Sequence, residues 1–254
     1  MRSILLILCG GLIAVGVVLG ARATLPERSA AAPALGDDKA ALGKSIRAYL
    51  IANPEVLVEA MQELERKQDS QRDSTAQKAI HEHRAALVND PDTPIAGNPA
   101  GDVTIVEFSD YQCPYCKRAH TTVEAVLAAD NKVKLAFKDL PILGEASRIA
   151  SLAALAARNQ NKHRALHNAM LEYGGKLDRA RIMEIAKSVG LDLDRLQKDM
   201  EDPKLAQIIE RNMALAAALG VRGTPAFVIG NQFVPGAVDP ETLKRLIAEA
   251  RKGS

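Results

Sequence analysis

The sequence predicts an α/β fold entered through an N-terminal helical segment, and three observations carry that expectation. Val103 to Phe108 is a short run rich in Val, Ile and Phe, as in a strand buried on both faces. Cys113-Pro114-Tyr115-Cys116 follows after a brief turn and opens a helix that continues through Val123-Glu124-Ala125-Val126-Leu127. Residues 145–220 then read as almost wholly helical, with no Val- or Ile-rich alternation to break them.

The dithiol is the chemical centre of the chain. Pro114 suits the first helical position, where its missing N–H is no loss. The Cys113 sulfur therefore falls at a helix N-terminus, where unpaired amides and the macrodipole favour an anion, so attack as the thiolate is expected. Cys116, one turn later, is placed to resolve a mixed disulfide. The chain has three cysteines, and Cys9 lies in an N-terminal apolar stretch. A structural disulfide between Cys113 and Cys116 would close almost no loop, which leaves a catalytic or metal-binding role. Structural zinc needs four ligands, and no second cysteine pair exists. His163 and His167 share a helix face but read as solvated or core-edge. His81 and His83 face different sides of a polar helix, and His120, one turn beyond Cys116, reads as surface. A redox pair without metal is the expectation. Glu107 is the one charged residue in the apolar strand, and an unpaired buried carboxylate should have a raised pKa. It is a candidate proton acceptor for Cys116.

Strand, Cys-Pro-Tyr-Cys and helix, followed far downstream by Gly223-Thr224-Pro225-Ala226-Phe227-Val228-Ile229-Gly230, resemble the DsbA-like thiol–disulfide oxidoreductases. The resemblance implies a thioredoxin fold with a helical insertion at about 145–220. It implies a cis Thr224–Pro225 bond packed against the dithiol, with the preceding backbone pairing with an extended substrate by strand addition. Thr224, Pro225, Pro114 and Tyr115 form the implied substrate-binding set. The family's acid at this spacing supports the role of Glu107, and Lys138 matches a position that pairs with that acid. No cofactor is implied beyond the Cys113–Cys116 disulfide itself. A strongly oxidising DsbA carries His where this chain has Tyr115, so a couple nearer about −200 to −150 mV than −120 mV is expected.

Upstream, Met1-Arg2 and the apolar run Ile4 to Leu19 resemble a secretory leader, with Ala21-Arg22-Ala23 as cleavage site. An uncleaved anchor is the alternative. Either arrangement puts the dithiol outside the cytoplasm, in a bacterial periplasm. Residues 1–23 are thus read as leader, 24–36 as linker, 37–88 as a helical segment and 89–254 as the redox domain. Within 37–88, Ile46, Tyr49 and Leu50 form one apolar stripe and Leu57, Met61 and Leu64 another, with a polar stretch from Glu65 to Gln77. Too short for a core of its own, this segment must dock on the redox domain or on copies of itself. Ile46-Arg47-Ala48-Tyr49-Leu50 through Asn53-Pro54-Glu55-Val56-Leu57 resembles the N-terminal region of the ScsC proteins, suppressors of copper sensitivity. That resemblance implies a homo-oligomer, with a trimer favoured.

A formal net charge of +2 gives no ground for a nucleic-acid partner. The reading is of a disulfide isomerase or reductase acting on misoxidised or unfolded periplasmic proteins, kept reduced by a membrane partner of the ScsB or DsbD type. A DsbA-like oxidase is the alternative, and a Cu(I)-binding copper-tolerance protein is the alternative of another class.

Overall fold

The computed structural model describes residues 35–253. The expected leader lies outside the described residues, as does the linker apart from Leu35 and Gly36, which open the first helix. Among the described residues no helix is long and apolar enough to cross a membrane. Two compact units divide between Glu59 and Ala60.

The first unit holds α1 (Leu35–Ala52) and the start of α2 (Glu55–Glu82). Asn53 closes α1: its backbone and side-chain N–H groups both donate to the Tyr49 carbonyl at 2.8 Å. Pro54 bars helical geometry at Asn53, and Glu55 then places an acid in the first turn of α2, where the dipole favours it. Leu42, Ile46, Tyr49, Ile51, Leu57 and Val58 are all exposed here.

The second unit contains the rest of α2, then α3 (Arg84–Val88), β1 (Ile95–Gly97), β2 (Val103–Ser109), α4 (Pro114–Ala129) and β3 (Val133–Asp139). The helical stretch follows as α5 (Glu145–Ala156), a 3₁₀ turn (Ala157–Gln160), α6 (His163–Glu172), α7 (Arg179–Ser188), α8 (Leu193–Asp199) and α9 (Pro203–Ala218). β4 (Ala226–Ile229), β5 (Gln232–Pro235) and α10 (Pro240–Lys252) complete it. Asp178, Asp192, Asp202 and Asp239 cap α7, α8, α9 and α10, each accepting from a backbone N–H in the first turn. Pro203 and Pro240 fill first-turn positions of α9 and α10 where no amide is needed.

The five strands run in the order β1-β3-β2-β4-β5. β2 pairs in parallel with β3 and antiparallel with β4, which puts the apolar Val103–Phe108 run at the centre of the sheet. On one face, Val103 and Ile105 pack with Ala119, Val123 and Val126 of α4 and with Leu243, Leu246 and Ile247 of α10. On the other, Val106, Phe108 and Val228 meet Leu215 and Ala216 of α9 and Leu219 just after it. A third cluster, built from the alanine face of α5 with Leu166, Met170, Ile182 and Ile209, also encloses Tyr111 and both cysteines.

Where the sequence segment ends at residue 88, packing divides earlier. Ala79 and Ile80 of α2 and Leu87 of α3 are buried in the α9 side of the sheet, so the end of α2 belongs to the second unit. Truncating the buried Ile80 to Ala should cost about 2–5 kcal/mol of unfolding free energy, read from urea denaturation of the full chain. A loss within 0.5 kcal/mol, about the surface-substitution range, would show that α2 does not dock there.

Candidate active site

β2 ends at Ser109, and a buried aspartate builds the turn that follows. The Asp110 carboxylate accepts from the backbone N–H of Gln112 at 2.8 Å and of Leu143 at 3.0 Å, while its carbonyl accepts from Cys113 N–H at 3.0 Å. This locks Cys113 into extended backbone as the N-cap of α4, with Pro114 in the first turn. The Cys113 thiol reaches across to the Thr224 carbonyl at 3.1 Å. Thr224–Pro225 is a cis peptide bond in the loop that feeds β4. Cys116 is fully buried behind Cys113, and its sulfur accepts from the Asp110 N–H at 3.5 Å. Burial pushes the Cys116 thiol well up. Both cysteines are free thiols.

Glu107 lies beneath α4, on the sheet face it shares with Val103 and Ile105. It is 2% exposed, and its Oε1 has no hydrogen-bond partner among the described residues. Burial, reinforced by the charges of Glu124 and Asp139 and opposed by Arg164, raises its carboxyl to about 7. Burial likewise raises the neighbouring Asp139 to about 7, opposed by a hydrogen bond with Tyr111.

The expected pairing of Lys138 with Glu107 does not form. In the parallel β2–β3 register Glu107 stands opposite Phe137, whereas Lys138 stands opposite Phe108 and points to the other face. The Lys138 ammonium instead bonds the Asp90 carboxylate at 2.8 Å and the Thr93 hydroxyl. Burial presses that ammonium down and Asp90 pulls it back up, while Asp90 is held below the ordinary carboxylate range against its own burial.

Three histidines also depart from expectation. His120 is buried rather than at the surface, and His163 and His167, expected to be solvated or core-edge, are buried within the fold. His163 and His167 lie on the α6 stripe with Leu166 and Met170, and His120 lies on the α4 stripe with Cys116, Ala119 and Val123. The rings of His163 and His167 pack on Phe137 at 5.2 and 4.3 Å. Burial pushes His163 down to about 3 and His167 well below its ordinary value, so both stay neutral. The Tyr111 hydroxyl shares a 2.9 Å hydrogen bond with His167 Nδ1.

The structure thus gathers Cys113, Cys116, Pro114, Tyr115, Thr224, Pro225 and Glu107 at one end of β2 and leaves Lys138 outside. Tyr115 is 56% exposed and carries the Arg118 guanidinium 4.3 Å from its ring centre. Sequence reading missed Asp110, Tyr111, Asp139 and His167. The i, i+3, i+4, i+7 spacing of His163, Leu166, His167 and Met170 was the available signal for the last of these.

A sheet of this order with a cysteine pair at the N-terminus of α4, facing a cis-proline loop, defines a dithiol protein of the thioredoxin class. The family model for the DSBA-like thioredoxin domain matches residues 104–248, and that for the copper resistance protein ScsC N-terminal domain matches residues 38–71. The chain belongs to the DsbA-like thioredoxin-domain family and carries the N-terminal segment of its ScsC members. A thioredoxin-like oxidoreductase of Silicibacter pomeroyi is 47% identical, covering 67% of this chain and 99% of its own, with a TM-score of 0.66. A linker-deletion variant of Proteus mirabilis ScsC is 31% identical, covering 89% of this chain and 100% of its own, with a TM-score of 0.67. The Na(+)/H(+) antiporter NhaA 1 of Salinispora arenicola is 29% identical over 168 residues, 65% of this chain, but the match spans only 26% of that protein's length.

The raised acids tie stability to pH. Glu107 titrates near 4.5 when unfolded and about 7 when folded, so its favourable contribution is full below 4.5 and is lost as pH rises through 7. Glu107→Gln should flatten that decline and leave the variant more stable than the parent at pH 8, by on the order of 2–3 kcal/mol. Urea denaturation across the pH range reads both, and an unchanged slope would show that Glu107 is ionised in the fold.

Proposed function

We propose that this chain is a periplasmic thiol–disulfide oxidoreductase that works as a protein disulfide isomerase or reductase through Cys113 and Cys116. The observation that carries the reading is the Cys113 thiol at the N-terminus of α4, 3.1 Å from the Thr224 carbonyl on the cis-proline loop. The helix terminus presents the Cys113 sulfur, and the loop offers main chain to an extended client beside it.

The Cys113 thiolate attacks one sulfur of a client disulfide, forming a mixed disulfide and releasing the other client sulfur as a thiolate. In isomerisation a client thiol then attacks the client sulfur of the mixed disulfide, which returns Cys113 as a thiolate. In reduction Cys116 loses its proton to the Glu107 carboxylate and attacks Cys113. The second client thiolate leaves, and the Cys113–Cys116 disulfide keeps the two-electron balance. A carboxyl near 7 can both take and return that proton at neutral pH. A membrane thiol-reducing partner then restores the dithiol, and no cofactor takes part.

The leader-like residues 1–23 support export. Exposed Ile46, Leu57, Met61 and Leu64 support assembly of copies, for which a trimer is favoured. Several dithiols facing one client raise effective concentration to roughly the millimolar range, which suits repeated attack and recapture. Tyr115 brings no charge to stabilise the reduced pair, which favours this direction over the oxidase reading. Cu(I) binding by the two thiolates is the competing reading from another class.

Cys113→Ser should abolish exchange, and Cys116→Ser should accumulate mixed disulfides with clients on non-reducing gels. Equal accumulation in both variants would overturn the assignment. The pair should be found reduced in rapidly acid-trapped cell extracts, whereas an oxidised pair would favour the oxidase. Leu57→Glu combined with Met61→Lys should yield a smaller species in light scattering that still reduces a simple disulfide but no longer rescues scrambled ribonuclease. A parent chain that is already monomeric would defeat the assembly argument.

A further inference from the structure

Beside the dithiol a groove of about 590 Å³ lies wholly within the second unit. Its floor is apolar, made by Pro225 and Ala226 of the cis-proline loop, Leu219 after α9 and Phe233 of β5, and Tyr115 borders it near Cys113. One wall comes from α2, where Arg72, Thr75 and Ala76 line the groove. Ala76 is 5% exposed and presents only a methyl group, which leaves the space open for a ligand side chain. Ala79 and Ile80, within the next turn, anchor this part of α2 among Leu215, Leu219 and Val228. The groove is also lined by the exposed Arg72 and Arg222, and among the described residues by no carboxylate. The Arg72 ion pair with Asp69, at 3.2 Å between exposed groups, holds its guanidinium only weakly.

We propose that α2 is the specificity wall of the client site. It selects extended client segments with a large apolar side chain beside the reacting cysteine and a carboxylate close to that side chain. The inference rests on the thiol–disulfide function proposed above and extends it to the client's sequence. A mixed disulfide with Cys113 brings the client cysteine next to Thr224. Strand addition there turns successive side chains to opposite sides, so a neighbour of the cysteine enters the groove. An apolar group gains by burial against Phe233 and Leu219, while an ammonium would lose hydration among lining residues that offer it no carboxylate. Arg72 and Arg222 then favour a carboxylate at the rim. Continuity of the groove with the cis-proline loop identifies its occupant as the client rather than another segment of this chain. A helix that otherwise joins the N-terminal segment to the redox domain thereby reads the substrate.

The test is single-turnover oxidation of the reduced full-length chain by two peptide disulfides, differing only in whether Leu-Glu or Lys-Lys follows the cysteine. The Leu-Glu peptide should react about tenfold faster or more. Arg72→Glu with Arg222→Glu should erase or reverse the preference, and Thr75→Trp should slow the Leu-Glu peptide by narrowing the groove. Parent rates within twofold of each other, or a preference that survives both sets of substitutions, would overturn the proposal. Failure of the parent to react with either peptide or with glutathione disulfide would instead defeat the function on which it rests. Hydrogen exchange on the mixed disulfide of Cys116→Ser with the Leu-Glu peptide identifies the occupant. Added protection over residues 71–76 and 233 supports the client, and no change, as when another part of the chain covers the groove, overturns it.

Discussion

The contact between the Cys113 thiol and the Thr224 carbonyl joins groups separated by 111 positions in the chain. Neither partner is organised by its own neighbourhood alone. Cys113 needs the buried Asp110 carboxylate to stop β2 and start α4 in the right direction, and Thr224 needs β4 paired antiparallel to β2. Between them the helices α5 to α9 form a separate core that closes over Tyr111 and both sulfurs. Moving either segment by one residue would turn every side chain of its strand to the opposite face and separate the dithiol from its loop.

The same alternation governs the charges beneath the site. Glu107 faces α4 with no cation across from it on β3, where Phe137 stands, and burial therefore dominates its ionisation. The positive charge nearest in effect comes from Arg164 on α6, shared with Glu124. Lys138 is drawn to Asp90 on the opposite side of the sheet, where it ties the segment before β1 to β3. Neutral histidines pack on the Phe137 ring that stands opposite Glu107. The site thus combines an outer thiol at a helix terminus with an inner thiol and two acids held in a poorly solvated layer.

Helix α2 performs two tasks along its length. Met61 and Leu64 are exposed, whereas Ala76, Ala79 and Ile80 are buried toward its end. The polar residues between make the helix soluble without breaking it, so one continuous element presents an apolar surface and borders the groove beside Cys113.

Sequence alone determined the strand at Val103–Phe108, the helix opened by Pro114, the helical stretch over residues 145–220 and the identity of the dithiol. Each is a local signal: hydrophobic period, proline at a helix start, or two cysteines too close for a structural bridge. It also marked Glu107 as a buried acid, since a lone carboxylate in an apolar strand has few other places to go. Tertiary structure decided what that acid meets. Whether Lys138 or Phe137 faces Glu107 depends on the register between β2 and β3, which the composition of neither strand specifies. The burial of His163 and His167 depends on the α6 stripe packing against Phe137, and that of His120 on α4 facing His167. Apolar residues at helical spacing, Ala76, Ala79 and Ile80, mark a buried face on α2, but which surface that face meets depends on a docking between residues distant in sequence.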